Sequence, residues 1–274
     1  MPYVEADGIE LYYEERGSGP PLLLLTGLGA DGSVWEQHAQ AYERHFRCLL
    51  LDNRGAGRSG KPQGPYSTKR MGDDAAALID ALDLDGVHVS GISMGGAIAQ
   101  HLAAVRPERI ASLSLHGSWA HCDAYTKSVF GMMGDVYGAV SPVVFAKLLN
   151  AWIFVPSYAN SREEDMRERA ASADSPNRMP AHAFQAQCEA CAGHDARSLL
   201  GDLRMPTLVT AGDKDIFLSP AYSEELAAAI PFARLEMFPG SGHTHHWDSL
   251  DRFNALTLAF MREHDATGSG RKRG

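Results

Sequence analysis

The sequence predicts an α/β fold, with a mostly parallel β-sheet covered by helices on both faces and one helical insertion. Three observations carry that reading. Short, continuous apolar runs alternate with segments of helical spacing over residues 1–119 and again over 203–265. Several of those runs end in glycine-rich loops. Between the two stretches, residues 120–202 lose the alternation and keep only helical periodicity. Unbroken apolar runs are expected of strands buried on both faces, as parallel sheets require. The chain is therefore divided into a core (1–119 and 203–265), a helical cap (120–202) and a C-terminal tail (266–274).

Taken in order, Tyr3–Ala6 and Ile9–Glu15 read as an antiparallel hairpin around Asp7-Gly8. Leu22–Leu25 is a buried strand that runs into the loop Thr26–Gly32, and Val34–Tyr42 has helical spacing. Phe46–Leu51 is a second buried strand, followed by a second glycine-rich loop, Asp52–Ser59. Within it, Asp52 and Arg54 are expected to form a bracing ion pair. Thr68–Leu82 is an amphipathic helix with Met71, Ala75, Leu78, Ile79 and Leu82 on one face. A strand beginning at Val87, a helix Gly95–Val105 and a strand Ile110–Leu115 complete the first half. Helices are expected in the cap at Thr126–Val136, Val143–Leu149, Arg162–Ser172 and Ala181–Ala192. Alternation resumes with strand Thr207–Gly212, helix Pro220–Ile230, strand Ala233–Phe238 and helix Leu250–Glu263.

Composition narrows the function classes. The chain has 274 residues, 45% of them hydrophobic, and a formal net charge of −9. That length supports a sizeable core, and that charge argues against nucleic acid or an anionic membrane as partner. The basic run Arg271, Lys272 and Arg273 follows a Gly/Ser stretch and reads as a solvated terminus. The N-terminus carries no charged-then-apolar export pattern and no run reaches membrane-spanning length, so a cytoplasmic location is expected. Cys48, Cys122, Cys188 and Cys191 then read as free thiols. Cys188, Cys191 and His194 resemble half a metal site, but no second ligand pair follows, so no metal is expected.

The chemistry centres on Val87–Ala97. Gly91-Ile92-Ser93-Met94-Gly95 lies between an apolar strand and a helix, the context that gives Gly-x-Ser-x-Gly its meaning. Ser93 must sit on a turn sharp enough to lift its hydroxyl clear of the sheet. Gly91 and Gly95 let strand and helix approach, and the following helix presents its N-terminus to a developing oxyanion.

A serine hydroxyl needs a base, and the base needs an orienting acid. In a sheet of this kind the chain order is nucleophile, acid, base. After the cap, Gly212-Asp213-Lys214-Asp215 offers two carboxylates at a strand end; Asp215 is favoured, with Asp213 as runner-up because it can bond its own turn. Gly240-Ser241-Gly242-His243 then offers the base, with His245 and His246 as competitors. Three histidines in four positions invite a metal reading, which no nearby Cys or carboxylate completes. The oxyanion donors are expected to be the backbone N–H groups of Met94 and Leu28.

Ser93, Asp215 and His243 in these motifs, with the Asp52–Ser59 loop, resemble the α/β-hydrolase superfamily over nearly the whole chain. Thr26-Gly27-Leu28-Gly29 with Trp35, the Met94-Gly95-Gly96 continuation and the cap's Trp152 and Pro156 are similar to the 3-oxoadipate enol-lactonase and carboxylesterase group. Two departures stand out: Thr26-Gly27 where many members have His-Gly, and Asp248 where a Glu is usual. The resemblance implies hydrolysis of a small-molecule ester or lactone through an acyl-enzyme. C–C bond hydrolysis of ring-fission products and perhydrolysis are alternatives on the same fold, and a non-catalytic small-molecule receptor is the alternative of another class. No organic cofactor is implied, because a complete Gly-x-Gly-x-x-Gly is absent after the first buried strand. Trp35, Trp119, Met132, Trp152 and Phe217 are the pocket candidates. A homo-oligomer is compatible with all of this.

Overall fold

The computed structural model describes residues 2–175 and 178–265; the tail from 266 onward, with its basic run, lies outside the described residues. Strands β1 (Tyr3–Ala6) and β2 (Ile9–Arg16) form the hairpin. Asp7 and Gly8 both have positive φ (49° and 77°), the geometry a two-residue turn between twisted strands demands. β3 (Pro21–Leu25) leads through a 3-10 turn (Gly32–Trp35) into α1 (Glu36–Tyr42) and β4 (Arg47–Leu51). Next come α2 (Thr68–Ala81), β5 (Val87–Ile92), α3 (Met94–Val105) and β6 (Ile110–His116). The chain then runs through α4 (Ala124–Ala139), α5 (Pro142–Ile153), α6 (Pro156–Ser161), α7 (Glu163–Ala171), α8 (Ala181–Ala192) and α9 (Arg197–Leu200). It returns to the sheet as β7 (Thr207–Gly212), α10 (Pro220–Ala229), β8 (Ala233–Phe238), α11 (His245–Asp248) and α12 (Leu250–Glu263).

The strands make one sheet in the order β1-β2-β4-β3-β5-β6-β7-β8. β1–β2 and β2–β4 are antiparallel and the remaining pairs are parallel. The apolar runs show why. Leu23, Leu25, Leu49 and Leu51 join a core shared with α2 and α3, while Leu22, Leu24, Cys48 and Leu50 join one shared with α1 and α12. Successive side chains leave a strand on opposite faces, so a strand covered on both sides must be apolar throughout. β5 is the exception. Val87 and Val89 face the first core, but His88 bonds Ser112 at 2.7 Å and Ser90 bonds His116 at 3.0 Å across to β6. Among the described residues no helix is long and apolar enough to cross a membrane.

The expected Asp52–Arg54 ion pair is replaced by another arrangement. Arg54 is 1% exposed and grips Asp74 of α2 through two bonds, 2.6 Å from Nε and 2.5 Å from Nη2. Asp52 instead accepts backbone N–H groups from Gly32 and Arg58, both at 2.7 Å, and so ties the two glycine-rich loops together. Arg54→Met would strand the Asp74 carboxylate in the interior. We expect the urea-unfolding free energy to fall by about 3–5 kcal/mol, and most of that loss to be recovered in Arg54→Met with Asp74→Leu.

Candidate active site

The Ser93 turn joins β5 to α3. Ser93 has φ 55° and ψ −117°, a left-handed conformation that costs a non-glycine residue on the order of 1–3 kcal/mol. The surroundings leave no alternative. A Cβ on Gly91 would run into the Gly95 carbonyl, and one on Gly95 would run into the Leu25 carbonyl of β3. Gly96, outside the five-residue motif, is equally crowded, with a Cβ there only 2.6 Å from Ser118 Cβ. Ser118 also donates to the Ser93 carbonyl at 3.0 Å, and the Ser93 N–H donates to His116 O at 2.8 Å.

β7 and β8 deliver the other two groups. Asp215 Oδ2 lies 2.7 Å from His243 Nδ1, while Asp215 Oδ1 accepts the N–H groups of Phe217 and Leu218 at 2.9 Å each. Both side chains are buried. Asp213 points elsewhere and accepts the Gly240 N–H at 2.6 Å, so it braces the turn after β8 and not its own turn as expected. Ser93 and His243 line one cavity of about 110 Å³ together with Gly27 and Leu28. The Gly27 backbone sits close against the serine, since a Cβ there would lie 3.4 Å from Ser93 Cβ. Among the described residues, no hydrogen bond occupies the Leu28 N–H or the Met94 N–H, the latter being the first of its helix. Gln187 of α8 is fully buried and holds the Leu28 loop from above. Its Oε1 accepts the Gly29 N–H at 2.9 Å and its Nε2 donates to Arg54 O at 2.8 Å.

The histidines near His243 diverge. His245 bonds Thr210 Oγ1 at 2.8 Å, and Thr210 in turn bonds His116 at 2.8 Å. His246 bonds His38 at 3.2 Å. Burial holds the pKa of His245 down at about 3 and that of His246 well below the usual histidine value. Among the described residues no group of three His, Cys, Asp or Glu side chains could hold a metal ion. His194, noted beside Cys188 and Cys191, bonds Thr68 Oγ1 at 2.9 Å, and all four cysteines are free and buried.

The pocket candidates separate. Phe217 lines the cavity and meets the His243 ring edge-on at 5.0 Å between centroids. Trp35 does not reach it. It is fully buried on the α1/α12 face of the sheet, where it packs against His38 and His116. Trp119 is fully buried against Phe130 and His194, also away from the cavity. Met132 and Trp152 line a neighbouring apolar pocket between α4 and α5; Met133 and Leu149 are the walls that it shares with the cavity. The sequence reading missed Val34, Phe184, Arg169 and Trp247 in the cavity wall. For Arg169 no sequence signal existed: Asp165 stands four residues before it, the spacing of an ordinary helix ion pair, and only the structure gives Asp165 to Arg162.

The family described as the alpha/beta hydrolase fold matches residues 20–250, and this chain belongs to it. A relative from Azorhizobium caulinodans that carries the name of a carbamate hydrolase, RutD, is 32% identical over 97% of this chain and 100% of its own. Among solved structures, an enol-lactonase from Burkholderia xenovorans superposes with a TM-score of 0.85 at 27% identity, covering 95% of this chain and 100% of its own. A malate-bound esterase from Thermogutta terrifontis does so with a TM-score of 0.86 at 26% identity, covering 96% and 98%.

Proposed function

We propose that this chain hydrolyses a small carboxylic ester or lactone through an acyl-enzyme on Ser93. The observation that carries the proposal is the 2.7 Å bond from His243 to Asp215, with His243 and the strained Ser93 turn on one cavity. His243 removes the Ser93 proton through Nε2, and Oγ attacks the carbonyl carbon. The Leu28 and Met94 N–H groups receive the oxyanion, while Asp215 holds the proton on Nδ1 and stabilises the imidazolium. His243 then protonates the leaving alkoxide, and water, activated by the same imidazole, releases the acid. A lactone ring opens by the same steps, with its alkoxide still tethered.

The enol-lactonase and esterase neighbours support that substrate class, and an enol-lactone is the best single candidate. The relative named as a carbamate hydrolase favours a second reading, in which the acyl group attacked is a carbamate and an amine or alcohol leaves. The test is turnover of p-nitrophenyl esters of increasing chain length, an enol-lactone and an aryl carbamate, by wild type and Ser93→Ala. Ser93→Ala is expected to lower kcat by at least about 10,000-fold. Esterase activity that survives the substitution would refute the proposal. A folded wild type inert toward all three would shift the reading to C–C hydrolysis, perhydrolysis or ligand sensing.

A further inference from the structure

We propose that Arg169 binds an anionic group of the substrate, a carboxylate above all, so that the preferred ester or lactone is itself an acid. Arg169 stands on α7 where two hollows meet. One is the cavity of Ser93 and His243; the other is an outer groove of about 330 Å³ that shares Val34, Arg169 and Trp247 with it. A substrate that enters by this groove passes the guanidinium before it reaches the serine.

The guanidinium is positioned but not neutralised. Nε donates to Asn150 Oδ1 at 3.2 Å, and the cation lies 5.0 Å from the Trp247 ring centroid and 5.5 Å from that of Phe154. Among the described residues no carboxylate pairs with it. The acids of the groove are already taken: Glu36 is held by Arg16 at 2.5 Å and Asp165 by Arg162 at 3.3 Å. The Arg169 side chain stays exposed at the groove, so the N–H groups beyond Nε are open to an incoming anion. A planar fork with free N–H donors, braced on aromatic faces, is suited to a carboxylate approached edge-on. The rest of the cavity wall offers no competing cation among the described residues.

This inference rests on the ester or lactone reading, and its test separates the two. The kcat/KM values of p-nitrophenyl butyrate and of mono-p-nitrophenyl glutarate, which differ by a terminal carboxylate, are compared in wild type, Arg169→Met and Arg169→Lys. The glutarate-to-butyrate ratio is expected to fall by about 10- to 100-fold in Arg169→Met, mostly through KM, and by less in Arg169→Lys, which keeps the charge without the fork. The wild-type ratio is expected to fall as salt is raised. If Arg169→Met fails to fold, Arg169→Lys alone must lower the ratio. An unchanged ratio in the folded variants overturns the proposal. If wild type turns over neither ester, the ester reading has failed instead. Calorimetric binding of glutarate to wild type and Arg169→Met then decides the arginine by itself, and equal affinities overturn its role.

Discussion

Asp215→Asn is expected to lower kcat by about 10,000-fold, whereas Asp213→Asn should leave turnover within about twofold of wild type. The two carboxylates are two residues apart, and geometry separates them. Asp215 Oδ1 receives two backbone N–H groups, from Phe217 and Leu218, so whatever occupies that position must be an acceptor. An asparagine there keeps its oxygen on those donors and turns its NH₂ toward His243. Nδ1 must then accept, the proton moves to Nε2, and the imidazole faces Ser93 as a donor with no lone pair for the serine proton. The substitution also removes the charge that stabilises the imidazolium. Asp213, by contrast, serves one backbone N–H of Gly240 at a partly exposed site, and an asparagine oxygen accepts that bond equally well. Steady-state kinetics with a p-nitrophenyl ester, beside unfolding curves showing both variants intact, make the comparison. Equal losses in both variants would mean that the loop rather than the charge matters, and loss confined to Asp213→Asn would reverse the assignment.

What was legible in the sequence follows from how local each constraint is. The strands β3 and β4 announce themselves because a leucine run has only one use in a sheet covered on both faces. The Ser93 turn is legible because its glycines answer steric demands within a few residues and one neighbouring strand. The cavity wall is a different matter. Met132 and Met133 are adjacent, yet Met133 reaches the cavity while Met132 is 40% exposed over the next pocket. One residue turns a helix by about 100°, and the sequence does not say how α4 is rotated against α8. Trp35 and Trp119 lie near strand ends at the active edge, but loop position does not fix side-chain direction, and both rings fill interior space. Arg54 shows the same limit in a polar pair: its partner lies twenty residues on, in α2, and not two residues away. Gln187 joins two loops from the far side of the cap, so only the assembled fold reveals it.

Below neutrality the protein is expected to lose stability steeply, because the fold buries histidines in their neutral form. Burial holds His38 and His88 near pKa 4 and His194 and His245 near 3, and it pushes His116 and His246 well below the ordinary value. In the unfolded chain each of them takes up a proton near pH 6.5. Their neutral burial therefore costs little above about pH 7.5, and as pH falls through about 6.5 the unfolded state binds protons that the folded state refuses. Each such group removes up to about 1.4 kcal/mol of stability per pH unit until its own folded pKa is reached. Six acting together exceed the marginal stability of most domains within one or two units. The buried Asp52 and Asp74 and the half-buried Asp248, whose pKa values desolvation raises, bind protons ahead of the unfolded chain and offset part of the loss at the acid end. Urea-unfolding free energies at pH 7.5, 6.5 and 5.5 should therefore fall by about 2 kcal/mol over the first step and by about 6 kcal/mol over the second, before the carboxylates' offset. His88 offers a control away from the cavity, since it bonds Ser112 and packs on Phe46. In His88→Leu with Ser112→Ala the drop from pH 6.5 to 5.5 should be smaller by about 1 kcal/mol. A stability that stays level from pH 7.5 to 5.5 would mean that the histidines take up protons inside the folded protein, and the neutral Ser90–His116–Thr210–His245 chain could not stand as described.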